Sequence, residues 1–141
     1  MTNDRNRAVI DEFRANGGKV TIHPAGDHLV LLTTTGARSG RRHTTPLAYH
    51  RDGDRIVVVA SKGGAPDNPA WYYNLRANPD VTVEVGTEQY EARAEIAEGE
   101  ERERLYRQQA SHFAAFNDYE KRTTRQIPVV VLTRKEPRRR H

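Results

Sequence analysis

Apolar residues along this chain come in short blocks, and the spacing within each block predicts an element. In RNRAVIDEFRAN (5–16), Val9, Ile10 and Phe13 fall on one side at near-helical spacing, and Gly17-Gly18 stops the run. Acidic residues interrupt that face, so it is expected to pack on the protein rather than lie on a membrane. LVLLTTT (29–35), HTTPLAYH (43–50) and RIVVVAS (55–61) read as strands, the last too apolar to have a wet face, with RDGD (51–54) as the turn between the latter two. SKGGAPDNP (61–69) is a loop of breakers. AWYYNLRAN (70–78) is helical, with Asp67 or Asn68 expected as its N-cap and Pro69 in its first turn.

Downstream, VTVEV (81–85) and QYEARAEIA (89–97) alternate apolar and polar residues across Gly86-Thr87. EGEERERLYRQQA (98–110) predicts a charged helix, HFAAFNDYEKR (112–122) a further helical turn or two, and IPVVVLTR (127–134) a closing strand. Six strands, mostly neighbours in sequence, with few helices predict a mainly β, α+β fold. The expected form is a six-stranded antiparallel barrel with its helices outside.

Length and composition narrow this picture. The 141 residues suit one domain, 1–141, with a helical N-terminal segment (1–18) and a basic tail (135–141). Cysteine is absent, so neither disulfides nor thiolate metal sites are available. There is no span-length apolar run and no signal-peptide pattern, which makes the cytoplasm the default location. The net charge of +4 is mild and partly resides in the tail. It fits a small acidic ligand as well as any nucleic acid. Basic and aromatic residues are not interleaved along a strand face, which disfavours a nucleic-acid-binding barrel.

The candidate chemistry begins with TTTGARSGRRHTTP (33–46). Gly36 and Gly40 let a ligand approach the main chain, and successive amides in such a turn make an anion-binding concavity. Arg38 and Arg41 can grip phosphate or carboxylate bidentately, and Ser39, Thr44 and Thr45 add neutral donors. An anionic, phosphorylated ligand is one reading; a solvated hairpin loop is the other. The order GxxxxGK[ST] is absent, and no GxGxxG opens a helix.

A second segment, ASKGGAPDNPAWYYNL (60–75), brings Ser61 and Lys62 from a strand end to a helix start. There Trp71 could flank a planar ring and Asn74 could offer its amide; Trp71 could equally be a core aromatic. In a third, Phe113, Phe116 and Tyr119 recur every three residues, as core or as the wall of a pocket for a flat substrate. The histidines (23, 28, 43, 50, 112, 141) lack zinc-like spacing, so no metal is expected.

LLTTTGARSG, TTPL, RDGDR, VVVASKGGAPDNPAWYYNLRANP and IPVVVL resemble the deazaflavin-dependent nitroreductase family, over about Leu31 to Leu132. Its members use coenzyme F420. The resemblance implies a split β-barrel related to the FMN-binding fold and hydride transfer from the reduced deazaflavin to a quinone, enone or nitroaromatic acceptor. It implies that Ala37, Arg38 and Ser39 bind the polyanionic tail, with Arg41 in the same loop. His43, Thr44, Thr45, Pro46, Leu47 and Ala48 would continue along the phosphate and ring. Val59, Ala60, Ser61 and Lys62 would support the deazaflavin, and Ala70, Trp71, Tyr72, Tyr73 and Asn74 would cap it. Phe113, Phe116 and Tyr119 would wall the acceptor site, with Tyr119 a candidate proton donor.

Arg42-His43 stands where relatives often carry Pro-Arg, Ala48 where nitroimidazole reducers carry tyrosine, and phenylalanines where they carry two wall tyrosines. The lost hydroxyls favour an apolar acceptor, a quinone or enone. An FMN-binding enzyme of the same fold and a non-enzymatic F420 carrier are the alternatives, and the expected assembly is a monomer or homodimer.

Overall fold

The computed structural model describes residues 4–135; the basic tail beyond Lys135 lies outside them. Helix α1 (Asp4–Ala15) precedes strand β1 (Leu29–Thr35), which pairs antiparallel with β2 (Arg42–Ala48) across the basic loop. Then come β3 (His50–Asp52), β4 (Arg55–Val59), a 3-10 turn (Lys62–Gly64) and α2 (Ala70–Ala77). β5 (Asp80–Val85), β6 (Glu88–Ile96), α3 (Gly99–His112), α4 (Ala115–Lys121) and β7 (Val129–Arg134) complete the order.

The strands form one antiparallel sheet of seven, in the order β2-β1-β5-β6-β7-β4-β3, not the six expected. The seventh arises because 43–50 is not one strand. It breaks at Tyr49, whose N–H donates to the His28 carbonyl at 3.1 Å. Before the break the chain pairs with β1; after it, β3 pairs with β4 at the opposite edge of the sheet. A single extended run thus touches both edges and curls the sheet into a half-barrel.

Residue alternation assigns the two faces of the sheet. Val30 and Leu32, Ile56 and Val58, and Val130 and Leu132 point into one core, which α2 joins with Trp71, Tyr72 and Leu75. Their alternates face outward and are covered. Leu29 and Leu31 meet Val9, Ile10 and Phe13 of α1. Val57, Val59, Val129 and Val131 meet Leu105, Tyr106 and Phe116 of α3 and α4. The near-continuous apolar runs of β1, β4 and β7 follow from this double coverage.

α2 begins differently from expectation. Pro69 occupies its N-cap, with no side-chain cap. Asn68 instead accepts a hydrogen bond from Arg125 at 2.7 Å, and Asp67 pairs with Lys62 at 3.2 Å. No helix among the described residues is long and apolar enough to cross a membrane.

Candidate active site

The two polar, glycine-bearing segments meet at one end of the half-barrel. A cavity of about 490 Å³ is lined by Gly36–Ser39, by His43, Thr44 and Thr45 of β2, and by Ala70, Trp71, Tyr73 and Asn74 of α2. The loop makes its own frame. Gly36 N–H donates to the Arg41 carbonyl at 2.7 Å, and Gly40 N–H to the Gly36 carbonyl at 3.0 Å, with Gly40 at φ +70°. The Arg41 N–H donates to Ser39 Oγ at 3.1 Å. A Cβ on Gly36 would come within 2.5 Å of that Oγ, so any larger residue there would displace the Ser39 hydroxyl from its bond to Arg41.

Asn74 ties the loop to α2: its Oδ1 accepts from Ala37 N–H at 3.1 Å and its Nδ2 donates to Thr34 Oγ1 at 3.3 Å. Its amide is therefore spent on positioning the loop. The arginines separate cleanly. Arg42 turns to the other side of β2 and donates to Thr35 and Thr82. Arg41 is exposed and outside the cavity lining. Arg38 lines the cavity, and its guanidinium makes no hydrogen bond or ion pair among the described residues.

A second cavity of about 820 Å³ adjoins the first and shares Asn6, Thr45, Ala70 and Trp71 with it. Pro46, Leu47, Ala48, Val59, Ser61 and Lys62 form its floor, and Phe113, Phe116 and Tyr119 a wall. The three aromatics are not one helix face: Phe113 caps the end of α3, while Phe116 and Tyr119 sit on α4. They still touch in sequence, with ring centroids 6.1 Å and 5.1 Å apart. Besides Arg41, two expected residues stay outside both cavities. Ala60 is fully buried beneath the floor, and Tyr72 packs in the core with Arg76 over its ring.

The floor and wall are fastened by side chains that no local pattern singles out. Arg125, in the linker after α4, donates to the carbonyls of Ala60, Ser61 and Ala65 at 3.3, 2.8 and 2.9 Å and to Asn68 at 2.7 Å. Tyr106 of α3 donates to the Phe116 carbonyl at 2.6 Å, and burial pushes its phenol up to about 12. His23, Pro24 and Ala25, from the loop after α1, line the same cavity as the wall, together with Arg5. No spacing rule links residue 23 to 113, so only the fold could bring them together.

Taken as a donor set, the rim suits a polyanion joined to a flat ring. Arg38 is an unspent cation in the first cavity, and Trp71 stands at the junction with the second, which carries the aromatic wall. This is the polarity expected of a site for F420, whose phosphate and oligoglutamate are anionic and whose deazaflavin is planar.

Comparison with known proteins agrees. Residues 5–134 match the F420H(2)-dependent quinone reductase family. The chain is 41% identical over 127 residues to an F420H(2)-dependent quinone reductase of Mycobacterium tuberculosis (strain H37Rv), covering 87% of this chain and 85% of that one. A solved F420-H2 dependent reductase superposes with a TM-score of 0.70 at 39% identity, over 74% of this chain and 93% of that one. A solved chain described as a domain-swapped dimer gives a TM-score of 0.72 at 34% identity, over 89% and 95%. The fold and site thus define a deazaflavin-dependent oxidoreductase on a split-barrel-like sheet. The chain belongs to the F420H(2)-dependent quinone reductase family, with coenzyme F420 as its cofactor.

Proposed function

We propose that this enzyme reduces a quinone held between the coenzyme's ring and the Phe113–Phe116–Tyr119 wall. The observation that carries this reading is the pair of adjoining cavities, one holding the glycine loop with Arg38 and the other the aromatic wall, with Trp71 at their junction. Arg38, with Ala37, Ser39 and the hydroxyls of Thr44 and Thr45, holds the anionic part of the coenzyme by charge-assisted and neutral hydrogen bonds. Leu47, Ala48, Val59, Ser61, Lys62, Ala70 and Trp71 bed the ring. Bound there, reduced F420 supplies hydride-transfer chemistry.

The protein's own contribution is orientation and exclusion of water. The aromatic wall presents a flat apolar face, and the alanine at position 48 adds no hydroxyl to it. That favours a flat hydrophobic acceptor over one needing several polar contacts. Tyr119, half-buried and stacked edge-on against Phe116, is the wall's hydroxyl and the candidate proton donor. The family name and its relatives' names support the quinone as acceptor class. The relative described as a domain-swapped dimer supports a homodimer for this chain, which sedimentation would measure.

The test mixes the pure protein with reduced F420 and a panel of quinones, enones and nitroaromatics. Quinones are expected to reoxidise the coenzyme fastest, and FMN to leave the Trp71 emission unchanged. Oxidation by nitroaromatics or enones alone would overturn the acceptor, and saturable FMN binding the coenzyme site.

A further inference from the structure

The segment between α1 and β1 carries no recognisable motif, yet its path is firmly set. Glu12 of α1 accepts from the Thr21 N–H at 2.8 Å and from the Thr21 hydroxyl at 2.6 Å. Those bonds hold the Glu12 carboxyl below its ordinary pKa. A turn follows, in which Gly26 N–H donates to the His23 carbonyl at 3.0 Å with Gly26 at φ +54°. Ala25 is buried under α1. Inside this turn the Ala25 N–H donates to His23 Nδ1 at 3.0 Å.

A ring nitrogen that accepts a hydrogen bond carries no proton. The neutral imidazole of His23 therefore has its proton on Nε2, and the turn fixes that tautomer. His23 lines the second cavity, and no other hydrogen bond engages its ring among the described residues. Burial, with Arg5 close by, keeps the imidazole below its ordinary pKa, so it is neutral at neutral pH. The same cavity is lined by Phe113, Phe116 and Tyr119.

We propose that His23 is a catalytic residue that binds the acceptor, its Nε2–H donating to the quinone oxygen that becomes anionic on reduction. This rests on the quinone reading above. One hydride from the reduced coenzyme turns the quinone into the hydroquinone monoanion. One proton, delivered by way of Tyr119 or directly by water, completes the hydroquinone, matching the proton that the oxidised coenzyme releases. His23 surrenders no proton; a neutral imidazole with a fixed N–H stabilises the oxyanion by hydrogen bonding alone. One fixed donor in a cavity that also carries an aromatic wall selects a flat ring bearing a carbonyl oxygen.

Two variants isolate the donor. In His23→Asn the side-chain oxygen can still accept from Ala25 N–H, as in an Asx turn, but the amide nitrogen stays near the backbone. His23→Gln extends an amide N–H about as far as Nε2. The probe is 2-hydroxy-1,4-naphthoquinone, a flat anion at neutral pH, titrated into coenzyme-free protein by quenching of Trp71, the chain's one tryptophan. His23→Asn is expected to weaken the probe about tenfold, and His23→Gln to stay within about threefold of wild type. The kcat/KM for 2-methyl-1,4-naphthoquinone should follow the same order, with thermal midpoints unchanged.

Equal affinity and kcat/KM in all three proteins would overturn the donor role and leave the quinone reading intact. Equal losses in both variants would assign the effect to ring packing and also overturn it. Should wild type turn over no quinone while the probe still separates the variants, the donor stands and the quinone reading falls.

Discussion

The two loops at the mouth of the site are built on opposite plans. Loop 36–41 holds itself, through Gly36, Ser39, Gly40 and Arg41, and needs only Asn74 to dock it on α2. Because its frame is main chain and hydroxyl, Arg38 is left unspent. Loop 60–68 has the 3-10 turn and little else of its own, with Lys62 at φ +47° among its glycines. A guanidinium from across the chain, that of Arg125, gathers its carbonyls. An arginine's role here is thus set by what already satisfies it: the idle one can hold a ligand, and the saturated one can only hold protein.

The comparison breaks most visibly at Arg125. Arg125→Ala leaves several carbonyls and Asn68 without their donor, and about 2–3 kcal/mol of stability should be lost. In a chain of this size that is a fall of about 8 °C in the melting midpoint. Arg38→Ala should behave in the opposite way. Coenzyme affinity, read by Trp71 quenching, should fall about tenfold or more. Stability should move by no more than about 0.5 kcal/mol. An unchanged affinity would misplace the anionic end of the coenzyme.

A smaller effect is expected at the aromatic wall, whose position depends on the Tyr106 hydroxyl. Burial raises that phenol to about 12, above the ordinary value near 10. The folded state therefore retains a proton that the unfolded chain has lost. The associated stability is full below about pH 10 and drains away as pH rises toward about 12. A thermal series across that window should decline in wild type and flatten in Tyr106→Phe, which should start lower through loss of the bond to the Phe116 carbonyl. Arg42→Ala should have the least effect: coenzyme binding unchanged and about 1 kcal/mol of stability lost with its bonds to Thr35 and Thr82.

Which parts were legible in the sequence follows the same division. Loop 36–41 could be read because its chemistry is local: the glycines, the hydroxyls and Arg38 lie within a few positions of one another. The strands could be read because both faces of β1, β4 and β7 are covered, leaving apolar runs that local pattern reveals. The break at Tyr49 could not, since it is caused by a contact with His28 and by the sheet's need to join its edges. Arg41 and Arg42 look equivalent to Arg38 in the string; pairing with β1 turns Arg42 away. Arg125 in TTRQIP and His23 in TIHPAG carry no local signature, because each acts on a segment that only folding brings near.

Gly64 has a consequence for the breadth of substrates the enzyme can admit. Its backbone is at φ +82°, and a Cβ there would lie 2.8 Å from Arg122 Cβ and 2.9 Å from the Tyr119 carbonyl. Any larger residue would act as a wedge driven under α4, prising Phe116 and Tyr119 away from the floor. The gauge of the slot is therefore set by a missing methyl group, and on the reading that the wall holds the acceptor this position is where a roomier variant, open to bulkier polycyclic acceptors, would be engineered.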